Sequence, residues 1–322
     1  MLLAGAAWLP PFGAWRRLRL RNNLRGISPR IGAAAFTYFV RTPINSSRAK
    51  RQDFRFYNGA RLCHLVNSTV TETLVTLLNC DMGESFGIWR LGDDQRIMPS
   101  IHIANVACGF HASDFNHMRT TVQLAKKHDV KVGAHPSLPD RQGFGRREMK
   151  IGRDELANCL IYQIGALKGF LEAEGMLLHH IKPHGSLYGM AARDPEVANA
   201  ICDAADVFKA PILGMINTEH ERVYPARGHR LIAEFYVDLD YADDGRLIIT
   251  REHEPVEPAV AADRAVRALK EGLVRSVGGK DIPVRAETIC VHSDTPGADV
   301  VAKAVHDRVV DEGFVPARPI SR

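Results

Sequence analysis

Short apolar segments that end in polar turns recur along residues 74–294, and this repetition constrains the fold more than any other feature. The clearest example is 101–107, an alternating segment rich in Ile and Val that runs into a turn with Gly109 and His111. Such a segment is typical of a buried strand. The amphipathic run that follows predicts a helix capped by Asp114, and capping alone would explain that carboxylate.

The same alternation predicts seven strands with helices between them. The predicted strands are 74–78, 101–107, 130–134, 176–181, 211–216, 231–236 and 288–291. The predicted helices are 114–128, 154–174, 195–205, 259–274 and 297–312. Strands that alternate with helices favour an α/β domain with a parallel sheet, whose carboxyl edge carries the functional site. The segment 238–258 lacks a core period and is predicted to pass over that site.

The formal net charge of +5 originates in the first 52 residues, which contain nine Arg, one Lys and no acidic residue. The remaining chain has 32 basic and 37 acidic side chains, which argues against nucleic acid as a partner. Residues 1–72 lack a hydrophobic period and are predicted to be a non-core extension: a disordered segment, a leader or the product of a mis-assigned start. Residues 73–322 are predicted to form one catalytic domain. No run reaches the roughly 18 apolar residues of a membrane span.

The six cysteines include no C-x-x-C pair, a pattern typical of reduced cysteines in a cytoplasmic protein. Cys80 and Cys108 occur in polar turns, where a thiol can act as a nucleophile. No neighbour in the sequence lowers the pKa of either thiol, so we favour the interpretation that both are small buried residues.

Ionisable side chains at the ends of different strands are the candidate catalytic residues, because parallel strands bring such residues to one edge. Lys182 supplies a fixed positive charge, the histidines can transfer protons near neutral pH, and the carboxylates can act as bases or orient the histidines. Glu84 fits the start of a helix equally well. The candidates are Asp81, Glu84, His111, Asp114, His135, Lys182 and His184. The candidate substrate-binding residues are Asn79, Asn105, Gly109, Tyr188, Glu234, Asp238 and His292.

Four motifs, in this order, resemble those of the LamB/YcsF family over about residues 74–315. They are Leu78-Asn-Cys-Asp-Met-Gly-Glu84, Asn105-Val-Ala-Cys-Gly-Phe-His-Ala-Ser-Asp114, Gly133-Ala-His-Pro-Ser-Leu-Pro-Asp140 and Lys182-Pro-His-Gly-Ser-Leu-Tyr188. Two positions depart from the family pattern. Ser113 replaces a glycine, and Leu239 replaces an arginine, so a substrate or phosphate contact made by that arginine is not expected here.

The resemblance implies an irregular barrel of seven βα units, related to the deacetylase and glycoside hydrolase barrels. It also implies ATP-dependent opening of 5-oxo-L-proline to L-glutamate, with Mg²⁺-bound ATP as co-substrate and the 5-oxoprolinase subunits B and C as partners. Such a reaction needs a cation or donor for the activated amide oxygen, a base for water and an acid for the departing nitrogen. The candidate residues supply all three. The chain contains no P-loop, because Gly278-Gly-Lys-Asp281 lacks its spacing. An unconventional ATP site, or one built partly by a partner protein, is therefore expected.

Two alternatives remain. Asp81, His135 and His184 could bind a metal ion for a deacetylase-like hydrolysis of an amide or acetyl group. No H-x-x-x-H or H-x-x-x-D pair occurs at these turns, so this interpretation is second. A non-catalytic binding scaffold would favour aromatic platforms, and aromatic residues make up only 7% of the chain.

Overall fold

Polar side chains occupy the inward-facing positions of the strands, and the strands curve around them into a closed barrel. The computed structural model describes residues 77–250 and 253–314, so the prediction for residues 1–72 lies outside the described part of the chain. The strands are β1 (Leu77–Met82), β2 (Ile103–Ala107), β3 (Lys131–His135), β4 (Leu178–Ile181), β5 (Ile212–Gly214), β6 (Leu231–Tyr236), β7 (Asp240–Tyr241), β8 (Leu247–Ile248), β9 (Leu273–Arg275), β10 (Asp281–Pro283) and β11 (Thr288–His292).

Seven of these strands form the barrel in the order β1-β11-β6-β5-β4-β3-β2, and every neighbouring pair is parallel. The strands β7 and β8 form one two-stranded antiparallel sheet, and β9 and β10 form another. The predicted seven-stranded α/β barrel is therefore confirmed.

Helices between the strands cover the outside of the barrel. They are α1 (Asp94–Ile97), α2 (Phe115–Lys127), α3 (Arg153–Ala173), α4 (Gly185–Ala191), α5 (Pro195–Phe208), α6 (Glu219–Ala226), α7 (Pro258–Glu271) and α8 (Ala298–Asp311), with a 3-10 turn at Met98–Ser100. In α3, Leu156, Leu160, Ile164 and Leu167 recur every three or four residues and are buried. This spacing places them on one face, and burying each such side chain stabilises the fold by about 1.5–3 kcal/mol.

Three short helices, α1, α4 and α6, were not predicted from the sequence. Each has eight residues or fewer, too short to show a helical period. The strand β1 also extends beyond the predicted end at residue 78, to Met82. Asn79 and Asp81, placed in the turn by the sequence pattern, belong to the strand itself. The apolar run breaks off early because these two side chains face a polar interior.

None of the helices in the described part of the chain is long and apolar enough to span a bilayer.

Candidate active site

Buried amide and imidazole groups form the floor of the candidate site inside the barrel. Asn105 Nδ2 donates to Asn79 Oδ1 at 2.7 Å and to Asp81 Oδ1 at 2.8 Å. His180 Nε2 lies 2.6 Å from Asn105 Oδ1, and Asn79 Nδ2 donates to Thr288 Oγ1 at 2.9 Å. The side chains of Asn79 and Asn105, predicted to bind substrate, thus bond to neighbouring strands.

The lack of a side chain at Gly133 leaves space for the His180 ring in this floor. Gly133 in β3 lies against the His180 ring, and a Cβ atom at Gly133 would collide with that ring. A glycine inside a strand often marks such a close approach. His180 was not among the predicted site residues, although it lies two residues before Lys182 and so points to the same side of the strand.

Lys182 is the central cation of the site. Its Nζ lies 2.8 Å from Asp81 Oδ1, 3.1 Å from Glu234 Oε1 and 3.0 Å from Cys290 Sγ. Burial lowers the pKa of Lys182, but Asp81, Cys290 and Glu234 outweigh it and raise this pKa well above the ordinary value. Lys182 is therefore a fixed positive charge, as predicted, in contact with a carboxylate on each side.

Three predicted histidines converge above this lysine. His135 Nε2 lies 2.9 Å from His184 Nδ1 and 3.2 Å from Asp81 Oδ2. The ring of His111 stacks on that of His184 with centroids 3.7 Å apart, and His111 Nε2 lies 3.2 Å from Glu84 Oε1. The structure thus brings together Asp81 and Glu84 from one strand end with three histidines from three others.

The buried charges around Asp81 and Glu84 shift the pKa values of these two carboxyl groups in opposite directions. Burial raises the pKa of Asp81, but the charges of His135 and Lys182 outweigh it and hold this pKa well below the ordinary range. Burial, with the nearby carboxylates of Asp294 and Asp81, raises the pKa of Glu84 well above its usual value. The pKa values of these two neighbouring carboxyl groups are therefore shifted in opposite directions. This arrangement is typical of an acid and base pair in an active site.

The two stacked histidines have lowered pKa values. Burial lowers the pKa of His111 well below the ordinary value, and the charge of His135 adds to the effect. Burial and the rings of His111 and His135 do the same to the pKa of His184. These two rings are therefore neutral near pH 7, with lone pairs available to accept a proton.

A loop that held none of the predicted site residues covers the histidines. Phe144 packs its ring edge-on against His111 and His184, and its carbonyl oxygen lies 2.7 Å from His184 Nε2. In the same loop, Arg146 Nη2 lies 2.8 Å from Asp294 Oδ2. Neither residue belongs to a periodic segment, so the only available signal was the strand-end position of the loop.

Asp238 and His292 form a second pair of predicted residues beside Asp81. His292 Nδ1 lies 3.0 Å from Asp238 Oδ1, and the backbone N–H of His292 donates to Asp238 Oδ2 at 2.6 Å. His292 Nε2 lies 3.7 Å from Asp81 Oδ2. Burial lowers the pKa of His292, but Asp238 and Asp81 raise it above the ordinary value. Asp238 thereby orients His292 toward the cluster.

Two predicted residues lie apart from the cluster. Asp114 caps α2 by accepting from the backbone N–H groups of Asn116 and His117 at 2.8 and 3.0 Å, and its other oxygen accepts from the backbone N–H of Gly87 at 2.7 Å. Gly109 has a φ of +95° in the turn after β2, and its carbonyl oxygen accepts from Arg141. The structure gives both residues a role in shaping the turns.

The cysteines of the polar turns are buried thiols. Burial and the charge of Asp81 raise the pKa of Cys80 well above the ordinary value, and burial raises the pKa of Cys108 to about 12. Neither thiol forms a thiolate near neutral pH, as expected for small packing residues.

Two cavities adjoin the cluster. A cavity of about 20 Å³ lies against Asp81, His135, Lys182 and His184. A larger cavity of about 500 Å³ lies beside it, and its lining includes Tyr188 and Glu234, both predicted to bind substrate. Both cavities are lined by Arg146, Tyr188, Leu247 and Ile249. The larger cavity has the size of a small-molecule site, and its lining reaches the cluster through Glu234, which contacts Lys182.

Leu239 also lines the small cavity, at the position where the family pattern has an arginine. Two cations line the same cavity, Lys182 and Arg146, and Arg146 comes from the loop that covers the histidines. Leu247 and Ile249 belong to the segment predicted to pass over the site.

A closed parallel (β/α) barrel with an ionisable cluster at its carboxyl edge defines the general class of barrel enzymes with strand-end active sites. Within that class, residues 76–321 match the LamB/YcsF family, and this chain belongs to that family.

Known proteins similar to this chain cover nearly its whole described part. The lactam utilization protein lamB of Emericella nidulans is 46% identical over 241 residues, which is 73% of this chain and 94% of that protein. The A component of 5-oxoprolinase from Staphylococcus aureus is 42% identical over 74% of this chain and 96% of its own length. The crystal structure of the lactam utilization protein from Thermus thermophilus has a TM-score of 0.70 and 41% identity, and the match covers 76% of this chain and 98% of that one.

Proposed function

We propose that this chain is the A component of an ATP-dependent 5-oxoprolinase, which opens the lactam 5-oxo-L-proline to L-glutamate. The observation that carries the proposal is the 42% identity to a protein that bears this name, over 96% of that protein. The name implies further subunits, and we propose that subunits B and C are the partners. ATP with Mg²⁺ is the proposed co-substrate, and the cytoplasm is the proposed location.

The proposed chemistry begins with the amide, which resists water until its oxygen is activated. Transfer of the γ-phosphoryl group of ATP to the amide oxygen releases ADP and leaves an electrophilic carbon. Water then adds to that carbon, and the C–N bond breaks to give the free amine and an acyl phosphate. A second water molecule hydrolyses the acyl phosphate to the carboxylate and inorganic phosphate. The steps need a cation near the oxygen, a base for water and an acid for nitrogen.

Contacts in the cluster support a division of these roles. Lys182 holds a permanent positive charge beside Asp81 and suits the developing charge on the amide oxygen. His184 and His111 are neutral and can accept a proton from water. Glu84, whose pKa is raised well above its usual value, can donate a proton to the departing nitrogen. We propose that the larger cavity, with Tyr188 and Glu234, holds the lactam ring.

A reconstitution assay tests this proposal. We expect the purified chain alone to show little 5-oxoproline-dependent ATP hydrolysis, and addition of subunits B and C to restore it. His184→Ala should lower the reconstituted turnover by about 100-fold, the contribution of one general acid or base. His128→Ala is the matched control, because His128 ends the outer helix α2.

Two outcomes would contradict the proposal. Full activity of the isolated chain would remove the need for partners, and an equal loss in His128→Ala would move the chemistry away from the strand ends. Opening of the lactam or of an acetyl amide without ATP would favour the alternative, a metal-dependent amide hydrolase.

A further inference from the structure

The ring nitrogens of His135 and His184 have fixed protonation patterns. His135 Nδ1 lies 2.8 Å from the carbonyl oxygen of Lys182, and His184 Nε2 lies 2.7 Å from that of Phe144. A carbonyl oxygen can only accept, so each of these nitrogens carries a hydrogen. In the deprotonated form that can bind a metal ion, each ring has a lone pair on its other nitrogen, which is Nε2 of His135 and Nδ1 of His184.

These two lone pairs face each other at 2.9 Å, with further acceptors around them. Asp81 Oδ2 lies 3.2 Å from His135 Nε2, and Glu84 Oε1 lies 3.8 Å from His184 Nδ1. Lys182 Nζ contacts the other oxygen of Asp81, at 2.8 Å. Acceptors that converge in a buried space need a shared positive group between them.

A metal ion satisfies more of these acceptors than one proton can. One donor atom from each of Glu84, His111, His135 and His184 lies within 4.8 Å of the others, and all four residues are buried. Bonds of about 2.0–2.2 Å at tetrahedral angles place neighbouring ligand atoms about 3.4 Å apart. The separations of 2.9, 3.2 and 3.8 Å in this cluster fall around that value.

The surroundings of the cluster resemble the outer shell of a metal site. Metal-bound histidines usually donate their other N–H to a carbonyl or carboxylate, which fixes the ring. His135 and His184 do so to Lys182 and Phe144. The second oxygen of Glu84 accepts from Ser293 Oγ at 3.2 Å, which holds this carboxylate in place.

We propose that Glu84, His111, His135 and His184 bind one divalent first-row transition-metal ion, with Asp81 beside them. The His111 ring, which stacks on His184 with centroids 3.7 Å apart, turns on ion binding so that its lone pair faces the ion. Three imidazoles and one carboxylate suit Zn²⁺ or Co²⁺ better than Mg²⁺, which prefers oxygen ligands. Binding of the ion can be measured without knowing the substrate. A role in lactam opening rests on the proposed function. With the ion bound, Glu84, His111 and His184 would be its ligands and would not transfer protons, and the ion would polarise the amide carbonyl.

Metal titration of the full, untagged chain tests the site. After removal of metal by chelation, we expect one Zn²⁺ per chain by calorimetry, and Co²⁺ should develop visible absorption typical of nitrogen ligands. His184→Ala and Glu84→Gln should each weaken Zn²⁺ binding by at least about 100-fold, and His128→Ala should leave it unchanged. Glu84→Gln keeps the side-chain volume, so it decides the question if His184→Ala fails to fold.

The possible results of the titration distinguish failure of the metal-site proposal from failure of the proposed function. Absence of stoichiometric binding by the wild-type chain, or binding that the folded variants retain, would overturn the metal site. Because the titration contains neither lactam nor ATP, a chain that binds Zn²⁺ but shows no 5-oxoprolinase activity with its partners would refute only the proposed function.

Discussion

At the scale of single residues, left-handed backbone positions shape the loops around the site. Ser113 has a φ of +72°, and it occupies the place where the family pattern has glycine. Phe144 has a φ of +54°, and its carbonyl oxygen is the partner of His184 Nε2. Non-glycine residues in this region cost roughly 1–2 kcal/mol each. At Phe144 this strained backbone aims a carbonyl at a candidate catalytic histidine.

Gly145→Ala should disturb the loop that covers the histidines. Gly145 has a φ of +66°, and an added Cβ would collide with Ser137 Oγ and with the ring of His184. We expect turnover to fall at least roughly tenfold, since small displacements of catalytic groups are costly. Gly228→Ala is the matched control, because it has a φ of +82° but nothing within 4 Å of the added atom. If turnover falls equally in both variants, the backbone strain at positive φ explains the loss, and the collision at Gly145 does not.

Lys182→Met should destabilise the barrel by about 3–5 kcal/mol, because Asp81 and Glu234 would remain buried without their cation. Adding Glu234→Gln to this variant should restore part of the lost stability, since one uncompensated charge is removed, while activity stays lost. Urea unfolding of the single and double variants measures the difference. No recovery in the double variant would show that the charge of Glu234 is not the source of the cost.

At the scale of elements, ion pairs tie three outer helices together. Asp203 in α5 accepts from Arg153 Nε at the start of α3 at 2.7 Å, and from Arg227 Nη2 at the end of α6 at 2.9 Å. The hydrogen bond from Arg153 is the main cause that lowers the pKa of Asp203, and Arg227 adds to it. Because protonation of Asp203 weakens its ion pairs with Arg153 and Arg227, the packing of these three helices depends on pH.

Asp203→Asn should lower stability by about 1 kcal/mol near pH 7, a value already reduced for the partial exposure of the pair. Because the folded pKa of Asp203 is depressed, its contribution is complete above the unfolded value of about 3.9 and is lost as the pH falls through the folded value. The gap between wild type and variant in urea unfolding should thus narrow below about pH 4. Asp263→Asn, on the exposed side of α7, serves as control. A gap that is constant with pH would contradict the assignment.

At the scale of the whole molecule, closure of the barrel joins the two ends of the described chain. The first strand, β1, pairs with the last, β11, from Leu77 opposite Thr288 to Asp81 opposite His292. This pairing places Asp81 next to His292 although the two residues are far apart in the sequence. Loss of either end would open the barrel and break the site together.

A chain that begins at Thr73 should keep its thermal midpoint within about 2 °C, because all seven barrel strands lie after residue 76. Differential scanning calorimetry of this shortened chain and of the full chain measures the change. A midpoint lower by about 4 °C or more would show that residues 1–72 stabilise the fold.

Local periodicity in the sequence predicted the seven barrel strands, five of the eight described α-helices and the strand-end position of the candidate site, but not the short strands β7 to β10. It also singled out His111, His135, Lys182 and His184, since ionisable groups just after apolar runs stand out. Closure of the barrel, by contrast, is a long-range event. Only the tertiary structure placed Asp81 against Lys182 and kept Asp114, already predicted to cap a helix, apart from the cluster.

Residues that act through distant contacts had no local signal. Phe144 and Arg146 belong to a loop without period, and His180 lies inside a strand and not in the turn after it. Only folding shows that the loop lies beside the histidines and that His180 contacts Asn105 in the floor of the site. The protonation pattern of His135 and His184 depends likewise on carbonyl groups of other segments. Side-chain chemistry is set locally by the sequence, whereas the electrostatic environment that tunes it arises when distant strands meet.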